Sequence, residues 1–266
     1  MKKNLISAVI INRNLGTVCD NLVIRLQSFG IKEIYVVEAS TSTKLQSKFA
    51  NVYPNDVSVS EKGLRINRGF NLGIHHAISK GESEWIFFLP VDTELINCDL
   101  NFLISQQNLM EDVAGIVPLE HGNSYLNEIH NREIAIAWNL PEGPILLRRS
   151  FLNQFQSVFE NSVFDHNNFR GYLSFIEIAI RIYSSNFALA VTKNITYQER
   201  EDYLLSMADL IKTEPLEINK YLLIEEGKKW LFEKYGFHNR WQLENIARLT
   251  YEEFLRINPK FKGLAI

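Results

Sequence analysis

Short apolar runs alternate with segments of helical periodicity along the first half of the chain. The runs predict β-strands at residues 5–11, 33–37, 56–59, 85–89 and 113–117. Apolar residues spaced three or four positions apart predict helices at residues 18–29, 70–81 and 100–110. The first run is almost continuously apolar, which is typical of a parallel strand buried on both faces.

This alternation predicts βαβ units, and therefore an α/β fold with an open, mostly parallel sheet flanked by helices. The pattern blurs at residues 118–143, where we expect a loop and a short antiparallel element near 134–138. A strand at 145–147 and a helix at 175–183 follow. The last segment, residues 202–266, has several helical patterns and no clear strand. We expect one α/β domain over residues 1–200 and a helical C-terminal extension over residues 201–266.

Composition narrows the functional class. The chain has 266 residues, 46% of them hydrophobic and 22% charged, as in ordinary soluble domains. Its net charge of −3 gives no reason to expect a nucleic-acid partner, because such proteins usually present a basic domain. Cys19 and Cys98 have no metal-ligand spacing. Neither a signal peptide nor an apolar run of about 18 residues is apparent, so we expect a cytoplasmic protein, with peripheral membrane contact left open.

Polar clusters follow three of the predicted strands. They are residues 12–14 (Asn-Arg-Asn), 38–42 (Glu-Ala-Ser-Thr-Ser) and 90–94 (Pro-Val-Asp-Thr-Glu). Ligands of open α/β sheets bind outside the carboxyl ends of the strands, where these clusters converge. The sequence therefore predicts a binding site at this edge of the sheet.

Several segments, in this order and spacing, resemble family 2 glycosyltransferases. The matching segments are residues 8–14, 33–41, 69–77, 85–93, 143–149, Phe164-Asp165 and Glu177 with Arg181. The resemblance covers roughly residues 5–200. It implies a GT-A fold that binds a nucleoside-diphosphate sugar.

The resemblance also implies which residues bind the donor. Positions that match those holding the base and ribose are Asn12, Arg13, Asn14, Glu38 and Ser40. Asn71 belongs to the motif at a helix start, and Arg68 is a candidate partner for the diphosphate. Glu38 replaces the usual Asp of the family. The simpler alternatives are that Glu38 ends a strand in water and that Arg68 is an ordinary surface residue.

The resemblance implies a divalent cation, Mn²⁺ or Mg²⁺, at Asp92. This residue matches the second acid of the family's Asp-x-Asp motif, whose first acid is replaced by Pro90. A divalent cation neutralises charge on a leaving diphosphate, and it needs only one or two protein carboxylates. Glu94 becomes a second metal ligand if Thr93 turns the chain. The alternative is that Asp92 and Glu94 form a solvated pair capping a helix near Leu95.

The catalytic base departs from the family pattern. Inverting transfer needs a carboxylate that accepts the proton of the acceptor hydroxyl. An alignment on Arg181 puts Ser174 and Phe175 where the family has a Glu-Asp pair. Asp165 and Glu177 are the candidate replacements, with His166 as a further one. A structural i,i+4 pair between Glu177 and Arg181 is the alternative.

These observations favour an inverting, metal-assisted glycosyltransferase that moves a sugar from a nucleoside diphosphate, with a UDP-sugar favoured, to a glycan or other hydroxyl acceptor. The resemblance suggests polysaccharide biosynthesis, and a lipid-linked acceptor would bring membrane contact. Aromatic residues of the C-terminal extension fit either a core or a homodimer contact. One alternative function is a degenerate, non-catalytic nucleotide-sugar-binding or assembly protein. A sugar nucleotidyltransferase is another, although residues 12–16 are a poor match to its glycine-rich loop.

Overall fold

The computed structural model describes residues 5–54, 64–129, 132–158, 162–200, 208–211 and 214–266. The strand predicted at residues 56–59 lies outside these ranges.

Eight strands form one mixed sheet. Their bounds are β1 Ile6–Asn12, β2 Glu33–Glu38, β3 Trp85–Pro90, β4 Thr93–Cys98, β5 Val113–Glu120, β6 Ile134–Ile136, β7 Ile145–Arg148 and β8 Ala188–Glu199. The order across the sheet is β2-β1-β3-β7-β5-β8-β4, and β6 pairs with β8. Among the described strands, β1, β2, β3, β5 and β8 point the same way, whereas β4, β6 and β7 run against them. The predicted α/β class with a mostly parallel sheet is confirmed.

Helices flank this sheet. They are α1 Gly16–Ser28, α2 Arg65–Lys80, α3 Phe102–Ser105, α4 Gln107–Met110, α5 Tyr125–Ile129, α6 Arg149–Val158, α7 Ser174–Ser184, α8 Ala208–Ile211, α9 Leu216–Tyr235 and α10 Arg240–Ile257. Short 3₁₀ helices cover Thr43–Leu45 and Pro259–Leu264. No helix in the described ranges is long and apolar enough to cross a membrane.

Two glycines let α2 approach β1 and β2 closely. A Cβ at Gly69 would lie 2.7 Å from Ile11 Cδ1, and one at Gly73 would lie 2.2 Å from Val9 Cγ1. Because these glycines are four residues apart, they lie on the same face of the helix. The two glycines of the motif at residues 69–77 are therefore explained by packing of α2 on the sheet.

Several elements differ from the predictions. The helix predicted at 100–110 is two short helices, α3 and α4, and the strands β4 and β8 and the helix α6 were not predicted. The second half of β8 includes polar residues such as Lys193 and Asn194, which weaken its strand pattern. Its backbone pairs with β4, β5 and β6, so β8 depends on distant partners.

The C-terminal helices pack into the same body as the sheet. In α10, Tyr251 and Phe254 belong to the main core, and the Tyr251 hydroxyl donates to the Ile136 carbonyl at 3.1 Å. In α9, Trp230 and Leu231 form a second cluster with residues of α7 and α10. The predicted helical character of this segment is confirmed for Leu216–Tyr235 and Arg240–Ile257, whereas a domain boundary at residue 200 stays a prediction.

Candidate functional site

The three predicted polar clusters lie side by side at one edge of the sheet. Because β1, β2 and β3 are parallel, their carboxyl ends meet, with Asn12 opposite Glu38 and Ile11 opposite Pro90. Asp92 follows Pro90 in the turn between β3 and β4. The structure therefore brings together the loops that the sequence placed at the site.

Asn12 and Glu38 form a buried network. Asn12 Nδ2 lies 3.1 and 2.9 Å from the two carboxylate oxygens of Glu38 and 3.2 Å from Ser40 Oγ. The backbone N–H groups of Ser40 and Ser47 each donate to Glu38 at 2.9 Å. Several hydrogen bonds thus satisfy the Glu38 carboxylate, which is 2% exposed. Asn12 and Glu38 hold the loop after β2, and their direct contact with a nucleotide stays a prediction.

Arg13 and Asn14 contact the C-terminal segment as well as the loop after β2. Arg13 donates to the Ala39 carbonyl at 2.7 Å and to the Ile211 carbonyl at 3.2 Å. Asn14 Nδ2 donates to the Leu210 carbonyl at 2.6 Å, and the Asn14 N–H donates to Ser40 Oγ at 2.8 Å. Burial, together with the nearby positive charge of Arg65, lowers the pKa of Arg13. Helix α8 therefore lies against two of the predicted donor-binding residues.

Arginines cluster at the start of α2. Arg65 and Arg68 each lie 5.5 Å from the ring centre of Phe169, and Arg68 also donates to the His166 carbonyl at 3.2 Å. Arg65 and Arg170 approach the Glu214 carboxylate at 2.7 and 2.8 Å. Sequence reasoning proposed Arg68 but missed Arg65 and Arg170, since nothing local indicates that residues 105 positions apart share one carboxylate.

Asn71 is buried and connects α2 to the loop before α7. Its Nδ2 donates to the Phe164 carbonyl at 2.7 Å, and its Oδ1 accepts from the N–H groups of Val163 and Phe164 at 3.0 and 2.9 Å. All these bonds are internal to the protein. Asn71 therefore positions one wall of the site, and its predicted contact with the donor stays a prediction.

A cavity of about 250 Å³ opens at the carboxyl end of β3. The starts of α2 and α7, the ends of β3 and β8, and the loop before β7 line it. Its residues are Ile66, Asn67, Phe70, Pro90, Asp92, Glu142, Gly143, Phe164, Arg170, Gly171, Ser174, Phe175 and Glu199. Sequence reasoning missed Glu142 and Glu199. The signal for Glu142 was its position directly before the strand that matches the family's acceptor side.

Asp92 has the features of a functional carboxylate. Within the described part of the chain, its side chain has no hydrogen bond or ion pair with another residue, while burial raises its pKa. A carboxylate with a perturbed pKa in a cleft is a candidate for ligand or metal binding. Its oxygens suit a hard divalent cation, which takes its other ligands from phosphate and water.

Glu94 lies in a strand and not beside a helix. Thr93 begins β4, so the alternative of a helix cap near Leu95 is wrong. Glu94 is exposed and pairs with Arg200 at 3.2 Å, although it and Asp92 both line a second cavity of about 300 Å³. Across the described residues, no group of three or more His, Cys, Asp and Glu side chains is arranged to hold a metal. A shared metal at Asp92 and Glu94 stays a prediction.

Asp165 and Glu177 both contact helix α9. Lys234 pairs with both carboxylates, and Trp230 Nε1 donates to Asp165 at 3.1 Å. Glu177 Oε1 also accepts from the Tyr235 hydroxyl and from Arg181 at 3.1 Å, so the i,i+4 pair is present. Burial by itself would raise the pKa of Asp165, but hydrogen bonds from Lys234 and its other donors lower it overall. Both groups are thus engaged in contacts within the protein.

Comparisons with known proteins show similarity in structure. No protein-family model and no curated protein sequence matches the chain. The crystal structure of GalNAc-T7 with UDP, GalNAc and Mn²⁺ has 12% sequence identity and a TM-score of 0.54, over 96% of this chain and 56% of that one. S. aureus TarS has 13% identity and a TM-score of 0.49, over 86% of this chain and 44% of that one.

A third similar structure is glucosyl-3-phosphoglycerate synthase from Mycobacterium tuberculosis in complex with Mn²⁺, uridine diphosphate and phosphoglyceric acid. It has 14% identity and a TM-score of 0.49, over 89% of this chain and 80% of that one. The likeness to GalNAc-T7, together with the strand order, establishes the architecture. The chain has the GT-A fold of glycosyltransferases.

Proposed function

We propose that this protein is a glycosyltransferase that transfers a sugar from a nucleoside diphosphate, with a UDP-sugar favoured, to a hydroxyl of a glycan or similar acceptor. One observation supports this most directly. Asp92, at the carboxyl end of β3, lines a cavity, and its carboxylate has no hydrogen bond or ion pair with another described residue. Its position is where the family 2 resemblance puts the metal-binding acid. The structure of GalNAc-T7, which has this fold, contains UDP, GalNAc and Mn²⁺.

The residues around the cavity suit the parts of such a donor. Asp92 would hold Mn²⁺ or Mg²⁺, with Glu94 as a second candidate ligand, and the cation would neutralise negative charge on the diphosphate. Arg68 is the candidate for the diphosphate, since guanidinium groups bind phosphate oxygens well. Asn12, Arg13, Asn14, Glu38, Ser40 and Asn71 shape the donor side. Cytoplasmic location, membrane contact through a lipid-linked acceptor and a homodimer belong to this proposal as well.

Nucleotide binding provides the first test. Thermal unfolding is measured with UDP, dTDP, GDP, CDP and ADP, each with and without Mn²⁺. A ligand at about 100 times its Kd adds roughly 2.7 kcal/mol, which predicts a rise in Tm of about 5–10 °C. We expect a Mn²⁺-dependent rise with one of these nucleotides.

Asp92→Asn serves as the matching variant. It should lose the Mn²⁺-dependent part of the rise, because an amide oxygen is a weaker ligand for a hard cation. Asp112→Asn, at a surface carboxylate that pairs with Lys260, should keep it. The proposal fails if no nucleotide changes the Tm of the wild-type protein.

A second candidate function is a protein that binds a nucleotide sugar without transferring it. The engagement of Asp165 and Glu177 by Lys234 favours this alternative, because neither carboxylate is available as a base in this arrangement. Release of nucleoside diphosphate from a bound donor distinguishes the two functions. Binding without turnover, over a panel of donors and acceptors, would favour the second candidate.

A further inference from the structure

The cavity next to Asp92 contains a second carboxylate, that of Glu142, whose loop is held in place. The Tyr197 hydroxyl donates to the Glu142 carbonyl at 3.2 Å. The next residue, Gly143, has φ of 145°, and a Cβ there would lie 2.3 Å from the Tyr197 hydroxyl oxygen. A larger residue at position 143 would therefore strain the backbone and clash with the Tyr197 hydroxyl. The hydrogen bond from Tyr197 therefore holds the backbone of Glu142 at the cavity wall, and glycine at position 143 leaves room for the Tyr197 hydroxyl.

The Glu142 carboxylate is available, unlike those of Asp165 and Glu177. It lines the cavity and forms no hydrogen bond or ion pair with any residue that the structure describes. Glu177, by contrast, is 3% exposed and bonded to three side chains. A general base must reach the hydroxyl that it deprotonates and must have a lone pair to accept the proton. Glu142 lines the cavity next to Asp92, where an acceptor hydroxyl would enter, and its carboxylate has lone pairs that no described residue occupies.

The other side chains that line the cavity do not supply a general base. Ser174 Oγ is hydrogen-bonded to Asn67 and Asn168, and Phe175 has no titratable group. Glu199 already interacts with another residue. Asp92 is the carboxylate that we assign to the cation, which would prevent it from accepting a proton at the same time.

We infer that Glu142 is the proton acceptor of the transfer reaction, an inference that rests on the proposed function. The acceptor hydroxyl oxygen forms a bond to the anomeric carbon of the donor sugar. The bond from that carbon to the phosphate oxygen breaks, and its electron pair leaves on the nucleoside diphosphate. The hydroxyl proton passes to the Glu142 carboxylate. Desolvation raises the pKa of Glu142, against the lowering effect of Arg240, and a higher pKa makes a stronger base.

Glu142→Gln tests the inference, with Glu120→Gln as a control that changes a carboxylate outside the lining of the cavity. Release of nucleoside diphosphate is followed with UDP-glucose, UDP-N-acetylglucosamine, UDP-galactose and GDP-mannose in Mn²⁺, with water and simple glycosides as acceptors. General base catalysis contributes about 10²–10⁴-fold, so we expect kcat to fall by that factor in Glu142→Gln. The Tm, the Kd for nucleoside diphosphate and the activity of Glu120→Gln should stay at wild-type values.

The outcomes separate the inference from the proposed function. If the wild-type protein turns over a donor and Glu142→Gln does so within threefold of it, the inference is wrong and the proposed function stands. If Glu142→Gln loses nucleotide affinity in proportion to its activity, Glu142 has a binding role and the inference is again wrong. If the wild-type protein releases nucleoside diphosphate from none of the donors, both are overturned.

Discussion

Replacing Glu177 by glutamine removes one negative charge from the contact between α7 and α9 while it keeps the size of the side chain. Glu177 Oε1 accepts hydrogen bonds from Arg181 at 3.1 Å, from Lys234 at 2.5 Å and from Tyr235. Hydrogen bonds to charged groups contribute about 1.5–3 kcal/mol each, roughly twice the value of neutral ones. An amide oxygen retains the weaker neutral bonds, so about half of the total is lost.

The expected loss of stability follows from these contacts. Losing half of the free energy of three such hydrogen bonds costs about 3 kcal/mol. Lys234 is partly exposed to solvent and keeps Asp165 as a partner, so the expected loss is reduced to about 2–3 kcal/mol. For a chain of this size the Tm should fall by about 4–12 °C. The fall is measured by circular dichroism during thermal unfolding at pH 7, and urea unfolding gives the free energy directly.

Glu252→Gln provides the matched control. Glu252 also forms an i,i+4 pair with an arginine, Arg248, but its side chain is 53% exposed. Exposed pairs of this kind contribute about 0.3–0.5 kcal/mol, so the control should melt within about 2 °C of the wild-type protein. If Glu177→Gln melts within the same interval, the reasoning that assigns Glu177 a structural role is refuted. A loss of turnover at unchanged stability would instead return it to the catalytic candidates.

Two further predictions follow from the packing of α2 and from the charge on Asp165. Gly73→Ala places a Cβ 2.2 Å from Val9 Cγ1, so it should destabilise the folded protein by about 1–3 kcal/mol. Gly263→Ala is the control, because a Cβ at that position meets nothing within 4 Å and should leave the stability unchanged. Equal Tm values for the two variants would contradict the packing argument. Asp165 has a lowered pKa in the folded protein, so its stabilising contribution is present above about pH 4 and is lost as the pH falls further. Asp165→Asn should therefore be less stable than the wild-type protein at pH 7, and this difference should shrink in urea titrations below about pH 4; a difference that is independent of pH would contradict it.

Much of the fold could be predicted because its signals are local. The apolar runs of β1 and β3 specify strands buried on both faces, and the glycines at 69 and 73 mark the helix that packs against them. Parallel strands align their carboxyl ends, so the polar clusters after β1, β2 and β3 had to share one edge of the sheet. Asp92 could be placed at the site for this reason alone.

The strands β4 and β8 could not be predicted in the same way. In β4, exposed Glu94 and Ile96 alternate with buried Thr93 and Leu95, a short half-buried pattern that also fits a loop. What makes it a strand is its antiparallel pairing with β8, about 100 residues away. Strand propensity depends on the neighbours with which the side chains pack, so sequence patterns resolve such strands poorly.

The sequence by itself determined the α/β class, the order of the first strands and helices, and the edge of the sheet where Asp92 lies. Only the tertiary structure decided which carboxylates are available there. Lys234 approaches Glu177 from 57 residues away, whereas the Glu142 carboxylate lines the cavity without a hydrogen bond or ion pair to any described residue. The physical reason is that periodicity records burial and local hydrogen bonding along one element. The partners of a charged side chain, by contrast, come from elements that are distant in the chain and meet only on folding.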